Sequence, residues 1–573
     1  MARLRRPALV AAGYVLLTCL FYWQGVRHMA SHYISDGADG ADFLWTYWHI
    51  PRALLHGENP FGTNLIFWPV GVRLGFHTTT PLEALLAWPL AKALGDVLAV
   101  NLLNLAAVPL TGIGMYLLAK HECGDDRAAF FAGAAFMLIH QHTGRMVGHW
   151  NLNHMWVLPF GLWFLLRLYD RPTWPRALAL GAMAAVLFLT DLTFFVFWLG
   201  AALVLAAWRW RETLRRAFLA RLAAGGAVAG VLSAPLLLPM YSDLRHAELD
   251  RLRGWGGAHE HSADLLGYIT PSTQHPLWGG LFHGVKGTVF GLEEYPYAGL
   301  LVLGLAVFAL VRLRARTGPW LVMAGGFMVL SFGPFLHVNG WTGDRFSLFD
   351  TRFSIPLPYA VFHSVPVLSG LRIPGRFSIM AALALGVCAA VALAHLVRDR
   401  SPRWHWAVPA LALVLTLVEL LPPPHLQLQS PKVPVAYRAI TASPDKGAVL
   451  EIPLFWRDGF GQVGDTADHT VFLYYATKHR HPIVGGMVAR LPDKRRAALY
   501  GFPAYRQLLA LQGQVGFSER PSFSAADLRA EGIGFVVYHR SSPKPAALAY
   551  IEGLGLSPLA DDGDTVVWQV PSG

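Results

Sequence analysis

As far as residue 421 the chain alternates between long apolar blocks and short polar punctuation. Pro7–Trp23, Ala99–Leu118, Leu222–Met240, Tyr297–Val311, Ile379–Leu396 and Ala407–Leu421 carry almost no charge. Most such blocks are long enough for a helix to cross a hydrocarbon layer ~30 Å thick. Crossings are predicted at 8–27, 98–119, 127–142, 152–168, 177–189, 192–208, 219–240, 297–313, 318–335, 376–396 and 404–421, about eleven by the ~20-residue criterion. The segment 81–94 is apolar but short. It is expected to be re-entrant or interfacial, or to fuse with the next helix. The first block follows Arg3, Arg5 and Arg6 and leads into Gln24-Gly25-Val26-Arg27-His28, with no small-x-small cleavage site. It is therefore expected to remain as a spanning helix.

The pattern changes at Leu421-Pro422-Pro423-Pro424, a run that cannot continue a helix. Beyond it, Ala448-Val449-Leu450-Glu451-Ile452, Gly534-Phe535-Val536-Val537-Tyr538 and Thr565–Val570 read as strands. Ser524-x-x-Asp527 opens a short helix as a capping box. The expected architecture is a polytopic α-helical membrane domain over 1–421 and a soluble extracytoplasmic α/β domain over 422–573.

Composition supports this reading: 54% of the residues are hydrophobic and 14% charged, against about 25% charged in soluble chains. The net charge of +11 could suggest nucleic acid. Its placement assigns it to topology instead. The arginines cluster in short loops (Arg209, Arg211, Arg215, Arg216 and Arg221; Arg312, Arg314 and Arg316; Arg398, Arg400 and Arg403), the positive-inside pattern. With those loops inside, the loops 28–80, 241–296 and 336–375 and the tail lie outside, and no nucleic-acid partner is expected. Cys19, Cys123 and Cys388 each lie in or beside an apolar segment and imply no disulfide framework.

The first outer loop holds the densest candidate chemistry. Asp36, Asp39 and Asp42 follow the first helix, separated by small residues that let a backbone approach a substrate. Partial desolvation near a membrane raises carboxyl pKa values toward a general-base range. The same residues also suit a solvated acidic loop or a calcium-type oxygen cluster. Next comes an aromatic, amphipathic stretch from Phe43 to Leu55 with Trp45, Tyr47, Trp48, His49 and Arg52, expected to lie on the membrane as an interfacial helix. His56-Gly57-Glu58-Asn59-Pro60-Phe61 and Phe67-Trp68-Pro69-Val70-Gly71 follow. This order resembles the GT-C superfamily of integral-membrane glycosyltransferases, more narrowly the bacterial relatives of dolichyl-phosphate-mannose protein mannosyltransferases. Gly148-His149-Trp150-Asn151-Leu152, Thr270-Pro271-Ser272, His275-Pro276-Leu277-Trp278-Gly279, Glu293–Gly299 and Arg372–Phe377 agree with it.

The resemblance implies a polyprenyl-phosphate sugar donor, an inverting displacement and a glycan, lipid or protein acceptor. Asp36 or Asp39 would be the base, undivided between them, with Asp42 third because it can instead cap the following helix. A phosphate leaving group needs little protonation, so one carboxylate can suffice, unlike the pair that glycoside hydrolysis uses. Arg372 and Arg376 suit the leaving phosphate, or anchor at headgroups. His149 and Asn151 are candidate substrate contacts. Glu293 and Glu294 could be a second acidic element, hold a divalent cation (Mg or Mn), or pair with Lys286. His140 with His142, and His149 with His154, lack the spacing of four that a helical zinc pair uses. Asp191, between two apolar runs, is either functional at membrane depth or a cap. In the tail, Phe455, Trp456, Phe472, Tyr474 and Tyr475 could stack on sugars but more naturally form a core. A lipid or sugar transporter, or a non-catalytic envelope-glycan assembly factor on the same scaffold, would fit less of the acidic loop.

Overall fold

The computed structural model describes residues 2–37, 39–246, 254–286, 294–342, 346–348, 351–354, 356–365, 368–465 and 470–572. The chain divides into two compact units, one of Met1–Ala30, Val100–Ser233 and Leu252–Gln427, the other of Ser31–Ala99, Ala234–Arg251 and Leu428–Gly573.

The first unit is helical. Its most enclosed element is the helix Ser378–Val397, packed by Leu300–Arg312, Arg314–Ser331 and Asp126–Met137. Alanine dominates that helix, and small side chains let neighbouring backbones approach closely. Gly181 shows the same device, since a Cβ there would strike the Gly225 carbonyl on another helix. Among the described residues three helices are long and apolar enough to cross a membrane: Asp96–Cys123, Arg216–Arg245 and Pro374–Val397. Five shorter apolar helices accompany them, including Trp174–Thr190 and Leu192–Trp208. Arg216–Arg245 leaves Val231, Leu232 and Leu238 exposed, as a lipid-facing helix would.

Two expected segments differ in detail. The crossing predicted over 127–142 stops at Met137, and a new helix, His140–Gly148, starts after Leu138 and Ile139. The segment Pro81–Leu94 is a helix of its own, ended by Gly95 at φ 83° rather than fused with Asp96–Cys123.

The second unit holds a four-stranded sheet in the order Ser557–Asp561, Thr565–Gln569, Ile533–His539, Ala448–Ile452. Ile533–His539 runs antiparallel to Thr565–Gln569 and parallel to Ala448–Ile452, with Val537 opposite both Val567 and Glu451. A smaller sheet joins Gln462–Gly464, Phe455–Arg457 and Gly486–Met487. The strands expected in the tail form, and Ser524 with Asp527 closes the capping box. The core of this unit is built from distant parts of the chain. Trp45, Ile66, Phe67, Val72 and Leu74 pack with Leu450, Trp456, Ile483 and Val536. The backbone joins in: Phe67 N donates to Gly485 O at 3.0 Å, and Ile483 N donates to Leu65 O at 2.9 Å. Phe455, Trp456, Phe472 and Tyr474 are buried, so the structure uses them as core rather than as a sugar platform.

Candidate functional site

The three carboxylates of the first outer loop occupy three different environments in the second unit. Tyr33–Ile34 pairs antiparallel with Leu428–Gln429 and fixes where the acidic segment begins. Gly37 sits at φ 87°, and a Cβ there would collide with the Gln429 amide, so a glycine is required. Asp36, beside it, is exposed. Asp39 stands at the N-cap of the helix Gly40–Leu55 but makes no capping bond. It is half-buried and pairs with Arg457 Nη2 at 3.5 Å. Asp42 lies inside the first turn and is 3% exposed, and it is not a cap. Its Oδ2 is 3.3 Å from His77 Nε2, and its Oδ1 has no hydrogen-bond partner among the described residues. His77 Nδ1 accepts from the Ala489 backbone N–H at 3.0 Å, which leaves the proton of a neutral ring on Nε2, an atom with no hydrogen-bond partner among the described residues.

The helix that follows, expected to lie on a membrane surface, packs one face against protein. Trp45, Tyr47 and His49 are buried, because Gly40–Leu55 packs against both Pro81–Leu94 and Val471–His479. His49 stacks on Trp45 at 4.6 Å. Burial, and then the nearby Arg52, push its pKa down to about 4. Arg52 reaches Glu58 with both terminal nitrogens at 2.6 and 3.0 Å, holding that carboxyl below its usual range. The family-like motif residues here are turn formers. Asn59 Oδ1 accepts from Phe61 N at 2.9 Å. Gly71, at φ 67°, has no room for a Cβ beside the Thr63 carbonyl.

The helical unit gathers a second set of candidates. The turn Arg372–Arg376 is anchored by Gly375 N donating to His261 O at 2.9 Å. A Cβ on Gly375 would lie 3.1 Å from Glu294 Cβ, so this turn and Glu294 are neighbours. Glu294 is 4% exposed. Its Oε1 is 2.8 Å from His261 Nδ1, and its Oε2 has no partner among the described residues. Arg376 likewise has a buried Nε with no partner among them. Gly257, at φ 88°, is open enough for the Arg372 guanidinium to pass 3.2 Å from where its Cβ would be. Glu293 lies outside the described residues.

Elsewhere in this unit Asn151 donates from Nδ2 to Asp191 Oδ2 at 2.6 Å, and Asp191 Oδ1 accepts from Thr193 N at 2.7 Å. Asp191 thus caps Leu192–Trp208 and fixes Asn151 at once. His149 is half-buried at the junction of His140–Gly148 and Trp150–Asn153. Both nitrogens of His142 face backbone carbonyls, of Met137 at 2.8 Å and Asn153 at 2.9 Å, which leaves neither for zinc. The two outer-loop motifs meet where Tyr295 OH donates to Pro271 O at 3.1 Å.

The structure therefore brings Arg372, Arg376 and Glu294 into one neighbourhood and Asn151 to Asp191, and gives each of Asp39 and Asp42 its own counter-group. Sequence reasoning missed His77, His261 and Arg457. The first two are histidines in glycine- and aromatic-rich loops, and only their histidine identity in an outer loop marked them. Among the described residues no three His, Cys, Asp or Glu side chains assemble as a cation site.

The family model described as "Domain of unknown function (DUF6311)" matches residues 10–420. No curated protein matches the chain. Among solved structures it resembles arabinofuranosyltransferase AftD from mycobacteria, with a TM-score of 0.58 at 15% identity over 99% of this chain. It also resembles the oligosaccharyltransferase of Archaeoglobus fulgidus, with a TM-score of 0.52 at 13% identity, covering 93% of this chain and 69% of that one. The chain spans 40% of the length of the mycobacterial enzyme. The fold is similar to that of these two solved structures.

Proposed function

The chain belongs to the family described as a domain of unknown function (DUF6311), and on that footing we propose that it is a membrane glycosyltransferase moving a sugar from a polyprenyl-phosphate donor to an extracytoplasmic acceptor. The observation that carries this reading is a carboxylate pair, the exposed Asp36 and the half-buried Asp39, held on a glycine turn ahead of a packed helix in a GT-C fold. In this reading the chain sits in a bacterial inner membrane with about eleven crossings, its N-terminus inside and residues 422–573 outside. Membrane lipid surrounds it, and nucleic acid has no part.

Asp36 or Asp39 takes the proton of the acceptor hydroxyl as that oxygen attacks the anomeric carbon. The bond to the carrier phosphate breaks on the opposite face, which inverts the centre. Arg457 holds Asp39 in place at 3.5 Å. Asp42, buried against His77, orients the start of the helix rather than touching the acceptor. Arg372 and Arg376 receive the leaving phosphate, for which a planar guanidinium supplies paired donors. The unpartnered buried Nε of Arg376 supports that assignment. Glu293 and Glu294, His149 and Asn151 are assigned to the substrate's surroundings, Asn151 through Asp191. The acceptor is a glycan, a lipid or a protein. Release of sugar from a labelled donor, compared between the wild type, Asp36→Asn and Asp39→Asn, tests the reading. Loss in one variant with donor binding retained supports it, and undiminished release in both refutes the base assignment.

A further inference from the structure

A cleft of roughly 420 Å³ opens on the surface of the C-terminal part of the second unit, within the ~300–1,000 Å³ range of small-ligand pockets. Its walls come from the strand Gln462–Gly464, the turn Gln512–Gly513–Gln514 and the pair Asp465 and Lys544. Among the described residues no aliphatic or aromatic side chain lines it. Gly464 and Gly513 stand at φ 81° and 76°, so bare backbone forms part of the wall and lets a ligand approach closely.

The polar groups are set in advance. Gln512 clasps Leu454, its Oε1 accepting from the backbone N–H at 2.7 Å and its Nε2 donating to the carbonyl at 3.0 Å. Gln514 Oε1 accepts from Gly464 N at 2.9 Å, which orients its amide hydrogens away from that bond. Asp465 is 3.0 Å from Lys544 Nζ and accepts from Ser542 Oγ at 3.0 Å. The carboxylate and the ammonium neutralise each other, so among the described residues lining the cleft no charge is left over to select an ion. Its polar walls offer nothing to a lipid tail. What remains is a neutral ligand whose groups both donate and accept hydrogen bonds, matching amides and a fixed carboxylate: a polyhydroxylated ring.

We propose that this cleft is a saccharide-binding subsite that holds the acceptor glycan. The inference rests on the glycosyltransferase reading for the word acceptor, but not for the binding itself. The test uses the full chain in lipid nanodiscs and a panel of neutral gluco-, manno-, galacto- and arabino-oligosaccharides. Binding is followed by saturation-transfer NMR and calorimetry, with Gln514→Ala and Asp465→Ala as variants and hydrogen exchange of Ile533–His539 as a check on folding. At least one saccharide is expected to bind. Each variant should weaken it roughly three- to tenfold, the worth of one lost hydrogen bond, with exchange and acceptor-free donor hydrolysis unchanged. No binding across the panel, or equal binding in wild type and variants, overturns the proposal. If donor is consumed while the variants leave the acceptor KM untouched, this inference fails alone. If no donor is consumed but saccharide binding is lost in the variants, the subsite stands and the enzyme reading fails.

Discussion

Replacing Tyr437 by Phe probes the most deeply buried charge-bearing cluster of the second unit. Glu451 is 0% exposed in the strand Ala448–Ile452. The Tyr437 hydroxyl donates to its two oxygens at 2.8 and 2.9 Å, and His539 Nε2 approaches Oε2 at 2.9 Å. The 3.2 Å between the Tyr437 hydroxyl and His539 Nε2 is the spacing of two donors aimed at one carboxylate. A hydrogen bond to a charged group is worth about 1.5–3 kcal/mol net. Phe keeps the ring stacked on His479 and opens no cavity, so the cost is that one bond, about 2 kcal/mol. Amide exchange in Ala448–Ile452 and Ile533–His539, measured on the full chain in nanodiscs at pH 7, should then accelerate roughly 30-fold. In a Glu451→Gln background the lost bond is neutral and worth about 1 kcal/mol, so Tyr437→Phe should accelerate exchange by less than about tenfold. Equal effects in the two backgrounds, or an effect below about threefold in the first, would refute the idea that Tyr437 serves a buried charge.

Four further outcomes follow from the same structure. Burial, with the like charge of His481 second, depresses the His479 pKa from 6.5 to about 3. At this site the unfolded chain therefore binds more protons between those values, so the contribution of His479 is constant above pH 6.5 and falls below it by up to ~1.4 kcal/mol per unit; His479→Gln should raise the thermal midpoint relative to the wild type more at pH 4.5 than at pH 7. Glu531 runs the other way. Burial, then Asp527, raise its pKa from 4.5 to about 7, so its contribution is full below 4.5 and lost as pH rises to 7, a slope that Glu531→Gln should remove. A Cβ at Gly486 would meet the Phe67 ring, so Gly486→Ala should cost about 1–3 kcal/mol by overpacking, with partial recovery in thermal melts when Phe67 is also shortened to Leu. Asn151→Ala strips the donor from Asp191 Oδ2 and should lower thermal stability and raise donor KM, since Asn151 is assigned to the substrate's surroundings through Asp191.

Most of the helical unit was legible because an apolar block has one stable outcome in lipid, a helix with its backbone satisfied internally. The interruption at Leu138 and Ile139 was not, because apolar character continues through it and the polar run His140–Arg145 only then begins. The amphipathic pattern of Gly40–Leu55 was read correctly as a one-sided helix, but the pattern is the same whether that side meets headgroups or a neighbouring helix. Long-range pairing decided it, as it decided that Phe67 and Leu74 complete a core with strands beyond residue 447. Local spacing cannot show such pairing. The acidic run Asp36–Asp42 was visible as a cluster. That its members separate into exposed, Arg457-paired and His77-paired carboxylates depends on residues far along the chain. The cleft at Gln512–Gln514 left no sequence signal, since its glutamines earn their place by clasping Leu454 and Gly464.

The most direct measurement is single-turnover sugar release from a panel of radiolabelled polyprenyl-phosphate sugars by the purified protein in nanodiscs, with Asp36→Asn and Asp39→Asn alongside. The expected result is release by the wild type with at least one donor. It should be abolished by one of the two substitutions, while that variant still binds the donor. Failure of the wild type to bind or consume any donor in the panel would contradict the glycosyltransferase reading itself.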